Sequence, residues 1–148
     1  MRGKSKRGFY TYFFKSLEAG LTYEPLNCRI TFDGQTIEKK CFTVTVANGP
    51  MYGYNFKIAP DARLDDGQFE VVVLKDAPRW KYFAAVPDTL SGRIYEADFV
   101  EHFAAKSIEI AFDTPENFAH LDGEGVKVNG FLKFEMRPNA LKVMVPKA

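Results

Sequence analysis

Hydrophobic positions along the chain fall mostly into short alternating or continuous runs. Leu26 to Phe32 is followed by Asp33-Gly34 and then by Gln35 to Lys40. Asp-Gly between two extended runs predicts a hairpin, because a type I′ turn needs positive φ at both central residues. Cys41 to Ala47, rich in Thr and Val, predicts a buried strand that Asn48-Gly49-Pro50 stops. Met51 to Ala59 reads as an aromatic, extended segment punctuated by Gly53, and Pro60 to Gly67 as a loop. Gln68 to Leu74 is the plainest strand. Ile108, Ile110 and Phe112 alternate with polar neighbours and predict a half-buried strand. Phe118 to Leu121 runs into Asp122-Gly123-Glu124-Gly125, and Leu132 to Met136 with Ala140 to Val145 reads as a hairpin turning at Pro138-Asn139.

Two segments follow the helical period instead. Phe9, Phe13 and Leu17 recur every four residues, widened by Tyr10 and Phe14, with Ser5 placed to cap the start and Gly20 the end. Pro78 suits the first position of a second helix over Arg79 to Leu90, which Pro87 limits or kinks and Gly92 closes. Many short strands with regular turn signals and only two helices predict a mainly β fold, a β-sandwich decorated by two helices.

Composition adds boundaries. A chain of 148 residues is one domain in length, and it buries enough surface to need neither disulfides nor zinc. Aromatic residues make up 15%, with 14 Phe and 7 Tyr, which suits a β-rich core. A net charge of +1 offers no global basic field, so nucleic acid is not an expected partner. Cys28 and Cys41 lie in apolar strand-like runs and read as buried free thiols. With His102 and His120 they match no zinc spacing. The basic N-terminus is not followed by a signal-peptide core, and no run of 18 apolar residues occurs, so a cytoplasmic protein is expected. Arg2, Lys4, Lys6 and Arg7 can touch anionic headgroups; a solvated, frayed terminus accounts for them as well.

Candidate chemistry concentrates in two acidic glycine turns, Leu64-Asp65-Asp66-Gly67 and Leu121-Asp122-Gly123-Glu124. Carboxylates spaced across a tight turn can bind Mg²⁺ or take a proton from a hydroxyl. Taken singly, Asp-Gly is among the commonest turn dipeptides, and solvation alone explains Asp65. His120 beside a strand is ordinarily packed or solvated. No GxGxxG, no GxxxxGK[ST] and no Gly-Gly is present, so the chain by itself carries no loop to cradle nucleotide phosphates.

The order of these motifs resembles a known family. Val46-Ala-Asn48-Gly49, the string Ile58-Ala-Pro60-Asp-Ala62-Arg-Leu64-Asp-Asp66-Gly67-Gln-Phe69-Glu-Val71, the later Asp122-Gly123-Glu124 and the closing Leu141 to Pro146 are similar to the C-terminal domain of bacterial lipid kinases of the diacylglycerol kinase family, the YegS-like group. Sphingosine kinases and NAD kinases share that superfamily. The opening Lys6 to Tyr12 also resembles the helix that enters this domain. One departure is the link after Asn48-Gly49, where Met51-Tyr-Gly53-Tyr54 has a single glycine and the family often has Gly-Gly.

The resemblance implies that residues 1–148 form the C-terminal β-sandwich of a two-domain enzyme. The N-terminal nucleotide-binding domain, with its GGDGT-type loop, is absent from this chain. It implies ATP as co-substrate and transfer of its γ-phosphoryl group to a lipid hydroxyl, diacylglycerol being the expected acceptor. It also implies that Asp122 and Glu124 are the catalytic carboxylates, with Glu124 favoured as proton acceptor and either residue able to help hold Mg²⁺. A structural Mg²⁺ is implied at Asp66, with the backbone carbonyls of Arg63 and Gln68 as further ligands. The rival expectations are an NAD-kinase-like domain and a non-enzymatic β-sandwich that binds lipid or a partner. The oligomeric state is left open.

Overall fold

The computed structural model describes residues 23–52, 55–122, 124–142 and 144. The predicted N-terminal helix and the basic residues before it lie outside the described residues, as do Gly53, Gly123 and Val145.

Six antiparallel strands make one sheet: β1 (Leu26–Phe32), β2 (Gln35–Ala47), β3 (Phe69–Lys75), β4 (Val100–Ala105), β5 (Ser107–Leu121) and β6 (Glu124–Glu135), in the order β4-β3-β2-β1-β5-β6. The hairpin predicted at Asp33-Gly34 forms as expected, with φ of 45° and 85° at the two turn residues and Phe32 opposite Gln35. The two runs after that turn are a single strand, β2, with a register irregularity between Cys41 and Thr43.

The sheet curls so that strands distant in its order pack face to face, which gives the sandwich-like interior expected of the fold. Phe32 of β1 stacks on Phe103 of β4 with ring centroids 4.0 Å apart, and Phe69 of β3 meets Phe134 of β6 edge-on at 6.4 Å. Neither pair belongs to neighbouring strands. Ile30, Val71, Val73 and Ile108 are fully buried between them. Cys28 and Cys41 join this core as free thiols. Contact with the Cys28 thiol and burial push Cys41 far above the usual thiol range, so it stays protonated.

A single residue, Lys106, carries the chain from edge strand β4 to β5. The corner is pinned by Asp33, whose carboxylate accepts the N–H groups of Lys106 and Ser107 at 3.2 and 3.1 Å.

The other face of β3 and β4 carries Val72, Leu74 and Val100 into a second core. Ile58, Ala59 and Ala62 of the preceding loop cover it together with Ala85, Ile94 and Phe99. The extended reading of Met51 to Ala59 is corrected here. That segment's described residues join no strand: Tyr52 N–H donates to the Phe56 carbonyl, Ala59 N–H to that of Pro50 and Lys57 N–H to that of Thr89. Its Phe56, Ile58 and Ala59 cover the sheet, which period-2 reading cannot distinguish from a strand.

The helix predicted over Arg79 to Leu90 is bent into α1 (Arg79–Ala84) and α2 (Val86–Ser91), with Pro87 in the first turn of α2. Gly92 caps its end at φ 82°, a left-handed conformation that suits glycine. Tyr82 ties α1 to the sheet: its hydroxyl donates to the Lys75 carbonyl and accepts from the Ala77 N–H.

The predicted C-terminal hairpin is the second correction. Leu132 and Phe134 belong to β6 and pair with Ile110 and Ile108 of β5. Residues 140–142 form no strand, and Leu141 is exposed. Asn139 does turn the chain, at φ 58°. Strand β4 had no sequence expectation at all; its run Val-Glu-His-Phe-Ala-Ala alternates too weakly to announce itself.

Candidate active-site arm and metal loop

Strand β5 outruns its neighbour. It pairs with β1 as far as Cys28 opposite Phe112, and the side chain of Asn27 donates to Asp113 at 2.7 Å just beyond. From there, among the described strands, β5 and β6 continue as a two-stranded arm. Pro115 lies in the stretch where the β5–β6 register shifts, between Ala111 and Glu116. Proline has no N–H to give the ladder, and β6 spans the same stretch with Gly130 at φ 80°.

The arm ends in the acidic turn. Leu121 pairs with Glu124, leaving Asp122-Gly123 as a two-residue loop with Asp122 at φ 50°. This is the conformation that Asp-Gly favours in hairpins. Asp122 and Glu124 are both exposed there.

Register then decides what stands beside them. Asn117, Ala119 and Leu121 pair with Val128, Val126 and Glu124 and share one face of the arm. That face continues the side of β6 that packs Phe134 on the core and sets Leu132 opposite buried Ile110. It is largely apolar, from buried Val128 to half-exposed Leu121, and Glu124 stands at its outer end. The opposite face is mixed: Glu116 and Lys127 form an ion pair at 2.8 Å beside Phe118 and His120.

The other acidic turn is elsewhere. Gly67 has φ 71°, and a Cβ there would stand 3.3 Å from the Pro138 ring, just past the end of β6. The two turns therefore lie at opposite ends of a strand of 12 residues, a span of roughly 35 Å at about 3.3 Å per residue. The structure does not bring Asp66 together with Asp122 and Glu124. Within the loop, the carboxylates diverge. Asp66 accepts the Gln68 N–H at 3.0 Å, whereas Asp65 leans toward the Arg63 guanidinium at 3.5 Å. Among the described residues no group of three His, Cys, Asp or Glu side chains converges as a metal site. A donor set of one carboxylate and backbone carbonyls fits the chemistry of Mg²⁺, which keeps most of its waters.

One polar cluster escaped the sequence reading. Glu70, only 9% exposed, accepts the Tyr95 hydroxyl at 3.1 Å and lies 2.9 Å from His102 Nδ1. The rings of Tyr95 and His102 stack with centroids 3.6 Å apart. Burial and the Glu70 charge raise the Tyr95 phenol well above the usual tyrosine range. The signal was available: alternation puts Glu70 on the face of Val72 and Leu74, where a lone carboxylate needs partners.

Comparison with known proteins fits this architecture. The family described as the YegS C-terminal NAD kinase beta sandwich-like domain matches residues 2–145. The chain belongs to that family. Among YegS-type relatives, a protein of Shewanella frigidimarina named "Probable lipid kinase YegS-like" is 28% identical over 137 residues, covering 91% of this chain and 43% of the relative. A Bacillus subtilis protein named diacylglycerol kinase is 26% identical over 123 residues, covering 82% of this chain and 40% of its own length. The YegS-type domain thus spans about two fifths of the curated relatives it matches. A crystal structure of a diacylglycerol kinase from Bacillus anthracis str. Sterne superposes with a TM-score of 0.55 at 22% identity, over 86% of this chain and 48% of that one. A second crystal structure, of a protein named "putative diacylglycerol kinase" from the same strain, reaches 0.62 at 24%, over 86% of this chain and 44% of that one. At these identities the likeness is one of fold.

Proposed function

We propose that this domain is the lipid-substrate half of an ATP-dependent lipid kinase, with diacylglycerol as acceptor. A nucleotide-binding domain N-terminal to it completes the enzyme, which works in the cytoplasm. The observation that carries the reading is the arm: an apolar face that leads outward to a carboxylate. An acyl chain can lie along Val126, Ala119 and Leu121 while its headgroup hydroxyl reaches Glu124. Glu124 accepts the hydroxyl proton as the oxygen becomes a nucleophile, and Asp122 orients the hydroxyl or helps hold Mg²⁺. Positioning and charge neutralisation supply most of the catalysis in phosphoryl transfer, so a projecting arm suits its task only when another domain brings the nucleotide. The test is ATP-dependent phosphate labelling of diacylglycerol by the complete two-domain protein and by the 148-residue chain alone. Labelling by the complete protein only is expected. Robust turnover by the chain alone overturns the two-domain reading, and a complete protein that labels no lipid leaves a non-enzymatic lipid-binding sandwich.

The Asp66 loop is proposed as a structural Mg²⁺ site, completed by the carbonyls of Arg63 and Gln68 and by water. An ion that binds only the folded chain stabilises it by RT ln(1 + [L]/Kd). Millimolar Mg²⁺ is expected to raise the melting temperature of the native chain. Asp66→Ala should abolish that increment, while Asp65→Ala, whose carboxylate faces Arg63, should keep most of it. An equal increment in native and Asp66→Ala protein would place the ion elsewhere.

A further inference from the structure

The bent helix has two faces of different use. Tyr82, Ala85, Val86 and Thr89 recur at helical spacing and turn toward the sheet, where Ala85 and Thr89 are buried. Trp80, Phe83, Ala84, Pro87 and Leu90 recur at the same spacing on the opposite side. They are exposed, Trp80 by 65% and Leu90 by 44%. A helix in this setting ordinarily turns charged and polar residues outward. Here the apolar stripe faces solvent across the break between α1 and α2.

A cation stands at one end of the stripe, where a Cβ on Gly92 would lie 3.9 Å from the Lys57 ammonium. Among the described residues Lys57 has no carboxylate within ion-pair distance, whereas the Arg79 guanidinium turns back onto the protein, bonded to the Tyr23 carbonyl and 5.2 Å from the centre of the Phe42 ring. The nearby carboxylates Asp88 and Asp98 are neutralised by Arg93 and Lys81. Apolar side chains with tryptophan at one end and the unmatched Lys57 ammonium at the other complement a bilayer surface, where acyl chains lie beneath anionic phosphates. Position agrees. Helix α1 follows β3 at Lys75, which lies level with Cys41 and Leu26. This is the end of the sheet from which the β5–β6 arm projects.

We infer that the Trp80–Leu90 stripe docks this domain on an anionic membrane surface, with Lys57 meeting headgroup phosphates. The choice of a bilayer over other partners rests on the lipid-kinase reading; the surface itself does not.

The sequence contains one tryptophan, so its fluorescence reports this stripe alone. The 148-residue chain is titrated with vesicles of phosphatidylcholine and phosphatidylglycerol, following Trp80 emission and co-sedimentation. A blue shift with co-sedimentation is expected. Phe83→Ser combined with Leu90→Ser should weaken partitioning by about tenfold or more, since both lose buried apolar area. Lys57→Gln should reduce the preference for phosphatidylglycerol, and Phe118→Ser on the arm should change neither. The proposal is overturned if the native chain leaves Trp80 emission unshifted, or if the double variant partitions as the native chain does. It is equally overturned if the shift appears without vesicles as protein concentration rises, because the occupant is then a second copy. Vesicle binding by a protein that labels no lipid supports the stripe and removes only the kinase reading.

Discussion

Asp122→Asn or Glu124→Gln in the complete enzyme should lower kcat by about a hundredfold or more, the usual loss when a positioned acid–base group is removed. The amide forms keep the size of the side chain but cannot accept the hydroxyl proton. Both residues are exposed at the tip of the arm, so neither change disturbs the core. The melting temperature should therefore stay within about a degree or two, as surface substitutions usually shift stability by less than ~0.5 kcal/mol. If Glu124 is the proton acceptor, Glu124→Gln loses kcat with KM nearly unchanged, while loss of an orienting Asp122 raises KM as well. Near-normal turnover in both variants would make the acidic turn a turn and nothing more. Asn in place of Asp122 also tolerates the left-handed conformation at φ 50°, which keeps the hairpin intact and the comparison clean.

Ile108→Ala should cost about 2–5 kcal/mol, the range for removing an isoleucine from a packed interior. Ile108 is wholly buried and lies in β5, opposite Phe32 of β1 and Phe134 of β6. It therefore stands where the coiled sheet closes, just after the Lys106 corner. Urea unfolding of the two proteins measures the difference. A loss below about 1 kcal/mol would mean that the interior collapses around the vacancy, and that the Phe32–Phe103 and Phe69–Phe134 contacts do not hold the sheet closed. The same substitution at Phe118, 83% exposed, should cost little in the isolated chain.

The strands that the sequence announced are those whose signals are local. Leu26–Phe32 ends in Asp33-Gly34, and both turn residues take positive φ. Phe69–Lys75 lies within one residue of the run expected from its continuous apolar pattern. The Pro78 and Gly92 boundaries and the Pro87 break of the helix were likewise written in residues that restrict or free φ. Where pattern reading failed, the deciding partner was distant. Met51 to Ala59 has a strand's composition, but its described backbone turns on itself and reaches the Thr89 carbonyl of α2 through the Lys57 N–H. Val100–Ala105 has a weak pattern yet becomes an edge strand, because β3 offers it an open ladder. Leu132 and Phe134 pair back to β5 and not forward past Asn139.

For the candidate site, the residue types and the turn geometry of Asp122-Gly123-Glu124 were legible, since Asp-Gly closes a hairpin wherever two extended runs flank it. The sequence by itself also determined the thiol character of Cys28 and Cys41, placed in apolar runs. Only the tertiary structure decided that the two acidic turns stand at opposite ends of β6, that Glu124 shares a face with Val126 and Val128, and that Glu70 finds Tyr95 and His102. The physical reason is reach. Turn sterics and side-chain alternation act over a few residues. Strand order and register are chosen instead by which distant faces can be buried together, and a one-residue slip of β6 against β5 would move Glu124 to the other side of the arm.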